Sequence, residues 1–186
     1  MNKTMNNFRY FIYTGNSYPH KNIGRLIEAV VLLNSSRKEK IHLKIVSGRS
    51  VFTKRLEEEI VKNKANDFVE ILGFVDDNDL NLLYKNSVAF VFPTLAEGFG
   101  LPPMEAVNAG TLATVSDISV LKEVYEESVF YFDPTNVSSI ENSLENVLKI
   151  SDDDRKKKIT KSQEFLKKYS WLKMAKETLK IYKSSI

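Results

Sequence analysis

Short apolar, β-rich runs alternate with amphipathic stretches along most of this chain, a rhythm that belongs to a parallel sheet with crossover helices. The spacing predicts strands at 10–13, 42–46, 69–71, 88–92, 112–115 and 129–132, and helices at 23–33, 52–62, 80–85, 103–108, 119–125 and 137–148. Val88, Ala89, Phe90, Val91 and Phe92 show no polar alternation, as expected of a strand covered on both faces. In the first helical stretch Leu26, Ile27, Val30, Val31 and Leu33 follow helical spacing and are expected to cover the sheet, leaving Arg25, Glu28 and Arg37 to face water. Ser151 followed by Asp152, Asp153 and Asp154 reads as a helix start with acids matched to the dipole. A lysine-rich helix continues from there, and another begins near Ser170 and Trp171. Trp171, Leu172, Met174 and Leu179 are expected to give these helices something to bury. The fold class expected is α/β, a doubly wound, mostly parallel six-stranded sheet with helices on both faces and additional C-terminal helices.

At 186 residues the chain suits one well-buried domain, expected to run over the whole of 1–186. Hydrophobic residues at 42% and charged residues at 27% indicate neither disorder nor a membrane class. The net charge of +3 comes largely from the lysines around 156–158, 161 and 167–168, which a solvated helix face explains. No nucleic-acid recognition motif accompanies them, and no nucleic-acid partner is expected. Cysteine is absent, which excludes disulfides, thiolate metal sites and cysteine nucleophiles. No run approaches the roughly twenty apolar residues of a membrane span. The first residues lack the apolar stretch of a secretion signal, so a cytoplasmic location is expected.

In a doubly wound sheet a ligand sits beyond the carboxyl ends of the strands, which directs attention to the loops there. Gly15 and Asn16 follow the first strand and lead through Pro19 and His20 to Lys21 and Asn22. Arg49 follows the second strand, Gly73, Phe74 and Val75 the third, and Glu97, Gly98, Phe99, Gly100 and Leu101 the fourth. Backbone N–H groups at a glycine turn opening a helix suit anionic oxygens, and carboxylates at the rim suit hydroxyls. Lys21 and Arg49 put two cations on the same edge, which is what a diphosphate needs without a divalent metal. Surface solvation is the ordinary role of a lone loop lysine or arginine, and their shared edge favours the binding role. Gly98 and Gly100 also fit a plain turn. Pro102 and Pro103 lack donors, leaving the amides of Phe99, Gly100 and Leu101 to face a ligand. Glu97 lies in the turn. Glu105 reads equally as a pocket acid and as an acid favoured in the first turn of a helix. His20 and His42 are too scattered for a metal cluster, and no metal site is expected. A dehydrogenase-type dinucleotide fold is the weaker reading, because Gly15 stands alone after the first strand.

The runs Tyr13 to Asn22, Gly73-Phe74-Val75, Phe92 to Ala106, Tyr131 to Pro134 and Tyr169-Ser170-Trp171 together resemble the C-terminal, donor-binding half of retaining group 1 family glycosyltransferases. That family has the two-domain GT-B fold. The resemblance implies a Rossmann-like half of that fold and a nucleoside-diphosphate sugar as donor substrate, with no metal and no other cofactor. It implies that Glu105 bonds the ribose hydroxyls and that Glu97 sits by the transferred sugar. The amides of Gly98, Phe99, Gly100 and Leu101 would touch sugar or phosphate, and Lys21 and Arg49 would neutralise the leaving diphosphate. Phe74 and Val75 would offer backbone contacts to the base, and Gly15 and Asn16 complete the binding set. Many members carry arginine where this chain has Asn16, whereas others, often mannosyltransferase-like, share the asparagine. A hexose such as mannose, a glycan or lipid-linked acceptor, and polysaccharide assembly are therefore the expected setting. The family's acceptor-binding half has no counterpart in this sequence. An acceptor-binding domain or polypeptide is an expected partner, and peripheral membrane association of the full enzyme a further implication.

Overall fold

The computed structural model describes residues 8–184. Six parallel strands form one sheet in the order β3-β2-β1-β4-β5-β6. They are β1 (Tyr10–Thr14), β2 (His42–Val46), β3 (Val69–Ile71), β4 (Ala89–Phe92), β5 (Leu112–Ser116) and β6 (Phe130–Phe132). The helices are α1 (Ile23–Asn34), α2 (Val51–Lys62), α3 (Asp77–Asn86), α4 (Leu101–Asn108), α5 (Ser119–Tyr125), α6 (Val137–Lys149), α7 (Asp152–Leu166) and α8 (Trp171–Ser184). The doubly wound α/β architecture expected from the alternation is what the chain adopts, with the sheet parallel throughout.

The core follows from the apolar runs. Every residue of β1, β4 and β5 is buried, which explains why β4 lacks polar alternation; Thr114 and Ser116 of β5 are buried with their hydroxyls hydrogen-bonded. Phe11, Phe90 and Phe92 are fully enclosed, each a side chain whose burial is worth about 1.5–3 kcal/mol. On α1 the stripe Leu26, Ile27, Val30 and Leu33 is buried while Val31 is only half-buried. Arg37 does not simply face water: it pairs with Glu145 of α6, against which α1 packs.

Local chemistry sets the helix starts, and there the expected boundaries shift. Asp76 accepts hydrogen bonds from the amides of Asn78 and Asp79, each at 3.0 Å, so α3 begins at Asp77 rather than 80. Helix α4 begins at Leu101 rather than 103, because Pro102 and Pro103 occupy positions where a missing N–H costs nothing. Ser151 caps α7 through the Asp154 amide at 3.1 Å, as its sequence suggests.

One expectation fails. Trp171, Leu172, Met174 and Leu179 of α8 are 70%, 65%, 52% and 53% exposed. Their helical spacing identified the helix, but spacing carries no information about a partner, and no residue of α8 is buried. Among the described residues no helix is long and apolar enough to cross a membrane.

Burial also disfavours the phenolate form of several tyrosines. Tyr10, Tyr84 and Tyr131 are each pushed up to about 12, and Tyr13 and Tyr125 further still. A raised folded-state value means that stability is complete below the ordinary tyrosine value of 10.0 and falls as the pH climbs towards 12. Urea midpoints should therefore drop steeply across that window, with phenolate absorbance appearing together with unfolding.

Candidate functional site

Strands β1 and β4 lie side by side at the centre of the sheet, and the chain leaves them towards opposite halves of it, opening a crevice at their carboxyl ends. The connections lining this crevice are bonded to each other. The Leu95 amide donates to the His20 carbonyl at 2.7 Å. Asn22, buried and in the left-handed conformation at φ 58°, donates its two amide hydrogens to the carbonyls of Pro93 (3.0 Å) and Pro134 (2.8 Å). Its side-chain oxygen accepts from Arg25 at 2.8 Å, so the whole amide is used in tying three segments together.

Between these loops Lys21 Nζ is ion-paired with Glu97 Oε1, the side chains only 12% and 15% exposed. The ammonium lies 5.4 Å from the centre of the Phe92 ring. A pair this sheltered interacts more strongly than a surface one, and removing either partner strands the other. Lys21 has three donors, so a ligand oxygen can share the ammonium with Glu97.

The turn that follows supplies amides. Among the described residues no backbone acceptor pairs with the N–H groups of Gly98, Phe99, Gly100 or Leu101. Gly100 is held at φ +81°, where a Cβ would stand 2.7 Å from Leu121 Cδ2, so this position requires glycine twice over. Gly98 has neither constraint. Gly15 is likewise constrained: at φ +143° a Cβ would come within 2.9 Å of the Tyr13 hydroxyl, which itself donates to the Asn16 carbonyl at 2.7 Å.

The two carboxylates border one region. Both Glu97 and Glu105 act electrostatically on the buried hydroxyl of Tyr125, whose ionisation is driven up chiefly by burial and further by Tyr169 and these charges, against a lowering hydrogen bond from the Met104 backbone. Glu105 also raises Tyr84, which shares a 2.6 Å hydrogen bond with Thr14 at the end of β1. Because α4 starts two residues earlier than expected, Glu105 falls in its second turn, exposed, and the simple first-turn role does not describe it.

The remaining predicted residues share the sheet edge without touching the Lys21–Glu97 pair. Asn16 is exposed and accepts from the Tyr18 amide at 3.3 Å. Arg49 is exposed on the loop after β2, which is joined to the β1 loop by Ser17 and Ser47 at 2.6 Å. Phe74 is 89% exposed after β3, and Val75 is half-buried beside it. Asn22, Tyr84 and Tyr125 escaped assignment to the site. For Asn22 a signal existed, since asparagine tolerates the left-handed conformation; a tyrosine on a distant helix offers none. Among the described residues no group of three or more histidines and acids is placed to hold a metal ion.

The sheet order defines a Rossmann-like α/β domain with a crevice at the centre of its sheet. The family described as Glycosyl transferases group 1 matches residues 2–165, and the chain belongs to it. It is 35% identical over 143 residues to the O-antigen chain mannosyltransferase RfbU of Salmonella typhimurium, covering 77% of this chain and 39% of that protein. It is 30% identical over 176 residues to O-antigen chain mannosyltransferase B of Escherichia coli, covering 94% of this chain and 45% of that one. The chain thus spans less than half the length of these relatives. Sucrose-phosphate synthase from Thermosynechococcus elongatus shares its fold, with a TM-score of 0.82 at 22% identity over 95% of this chain and 45% of that chain. The fold is that of the Rossmann-like half of a GT-B enzyme.

The glycine geometry generates a paired test. Gly100→Ala should cost about 1–3 kcal/mol, the usual penalty of a side chain in a left-handed backbone, before any clash with Leu121 is added. Gly98→Ala should stay within about 0.5 kcal/mol, as at an unconstrained surface position. Urea denaturation of the two variants measures both.

Proposed function

We propose that this chain binds a nucleoside-diphosphate sugar at the β1–β4 crevice and serves as the donor-binding part of a retaining hexosyltransferase, with mannose the favoured sugar. The observation that carries this reading is the sheltered Lys21–Glu97 pair beside the unpaired amides of Gly98 to Leu101. It sets a cation, hydrogen-bond donors and a carboxylate within one turn of chain, matching a diphosphate on one side and sugar hydroxyls on the other. The identity to O-antigen chain mannosyltransferases supports the choice of sugar and a glycan or lipid-linked acceptor.

In the proposed reaction the bond between the anomeric carbon and the diphosphate oxygen breaks, and its electron pair leaves on phosphate. The acceptor hydroxyl forms the new bond on the same face of the sugar and gives its proton to the departing phosphate oxygen. Lys21 and Arg49 stabilise the charge that accumulates there, so no divalent metal is assigned a role. Glu97 receives sugar hydroxyls, Glu105 receives the ribose, and the backbone of Phe74 and Val75 faces the base. Gly15 and Asn16 line the crevice floor.

Calorimetric titration with a panel of nucleoside diphosphates tests the reading. At least one should bind, and Lys21→Ala should weaken it about ten- to hundredfold, the worth of a charge-assisted hydrogen bond of about 1.5–3 kcal/mol. Glu97→Ala frees the Lys21 ammonium; the nucleoside diphosphate should then bind at least as tightly while the corresponding sugar donor loses affinity. Folded protein that binds no member of the panel overturns the proposal.

A second reading is a nucleotide-sugar-binding module that acts with a separate acceptor-binding polypeptide. Peripheral membrane association would then belong to the assembled enzyme. Co-purification decides it, since sugar transfer should appear only when the second polypeptide is added, and turnover by the homogeneous chain alone would exclude it.

A further inference from the structure

We propose that Tyr125, on α5 and remote in sequence from the crevice loops, is a positioning residue that aims the Leu101 amide at the terminal phosphate of the bound nucleotide; this rests on the donor-binding reading above. Tyr125 is fully buried, and its hydroxyl donates to the Gly100 carbonyl. Gly100 is the residue that precedes the first turn of α4, so the hydroxyl grips the backbone where that helix begins. A trans peptide is planar, and its C=O and N–H point in opposite directions. Holding the Gly100 oxygen towards the interior therefore turns the Leu101 N–H outward, to the side of the crevice.

That orientation counts for more here than in an ordinary helix. Of Leu101, Pro102 and Pro103, only Leu101 has an N–H to offer. Within its first three positions α4 thus offers a ligand the Leu101 amide alone, and a rotation of the 100–101 peptide would withdraw it. Gly100 makes such a rotation easy, because glycine has alternative conformations open to it that other residues lack. Its surroundings are tight: Leu121, one turn earlier on α5, lies 2.7 Å from where a Gly100 Cβ would stand, with Phe92 at 3.5 Å and Tyr125 at 3.9 Å from the same point. Helix α5 thereby acts on the crevice without any side chain in it.

Tyr125→Phe removes the hydroxyl and keeps the ring, so the packing against Gly100 is retained. Calorimetry with GDP and GMP, and with UDP and UMP, should show about a tenfold loss of diphosphate affinity in the variant and monophosphate affinity changed less than twofold. A loss of packing alone would move both or neither. In the unaltered protein labelled with nitrogen-15, the Leu101 amide resonance should shift on adding the diphosphate and stay in place with the monophosphate, a measurement that stands even if the variant does not fold. Equal diphosphate affinity in variant and parent, or a Leu101 amide insensitive to the diphosphate, overturns the role of Tyr125 while the donor site stands. Failure of the parent protein to bind any of these nucleotides overturns both.

Discussion

The side-chain amide of Asn22 holds together the part of the molecule on which everything else at the crevice depends. Strands β1 and β4 are neighbours in the sheet but far apart in sequence, and the connections leaving them carry no more regular structure than the 3-10 turn Pro19–Lys21 to hold them in register. Asn22 bonds the carbonyl of Pro93 in one loop and that of Pro134 in a third segment, at the cost of a left-handed backbone that asparagine tolerates. A buried amide with every donor used is rigid, and replacing it would strand two carbonyls in the interior. The Lys21–Glu97 pair lies across the same junction, so the positions of cation and carboxylate are inherited from the clamp beside them.

Around this junction charge and backbone divide the work. Lys21 and Glu97 neutralise each other in the free protein, which keeps a sheltered charge from standing alone. Among the described residues the amides of Gly98 to Leu101 have no backbone acceptor, and the prolines that follow leave Leu101 the one N–H in the first three positions of α4. Arg49 stays exposed on its own loop after β2. Under the proposed function, pre-organised donors beside an exposed cation would suit a substrate whose charge grows as it departs.

Much of this was legible in the chain because it rests on local rules. Apolar, β-rich runs marked the strands and the unalternating run at 88–92 a strand covered on both faces, the glycine and proline pairs marked the turn before α4, and the motif residues fell on one edge because parallel topology puts successive carboxyl ends there. What escaped was non-local. The start of α4 at Leu101 moved Glu105 into the second turn. Periodicity could place α8 but not cover it, leaving Trp171 and Leu172 exposed. Tyr125 reaches Gly100 through tertiary packing, and Asn22 finds the Pro134 carbonyl across 112 positions of sequence. Neither contact has a signature shorter than the fold itself.

The exposure of α8 also governs how the molecule reports on itself. Trp171 is the chain's only tryptophan and is 70% accessible, so its emission senses solvent in the native chain and after denaturation alike. Tyr10, Tyr13, Tyr84 and Tyr125, by contrast, are enclosed, their phenol rings distributed through the sheet and its packing helices beside buried phenylalanines. Indole fluorescence is consequently a gauge of whatever settles on the last helix and nearly blind to collapse of the interior, which only the phenols can register.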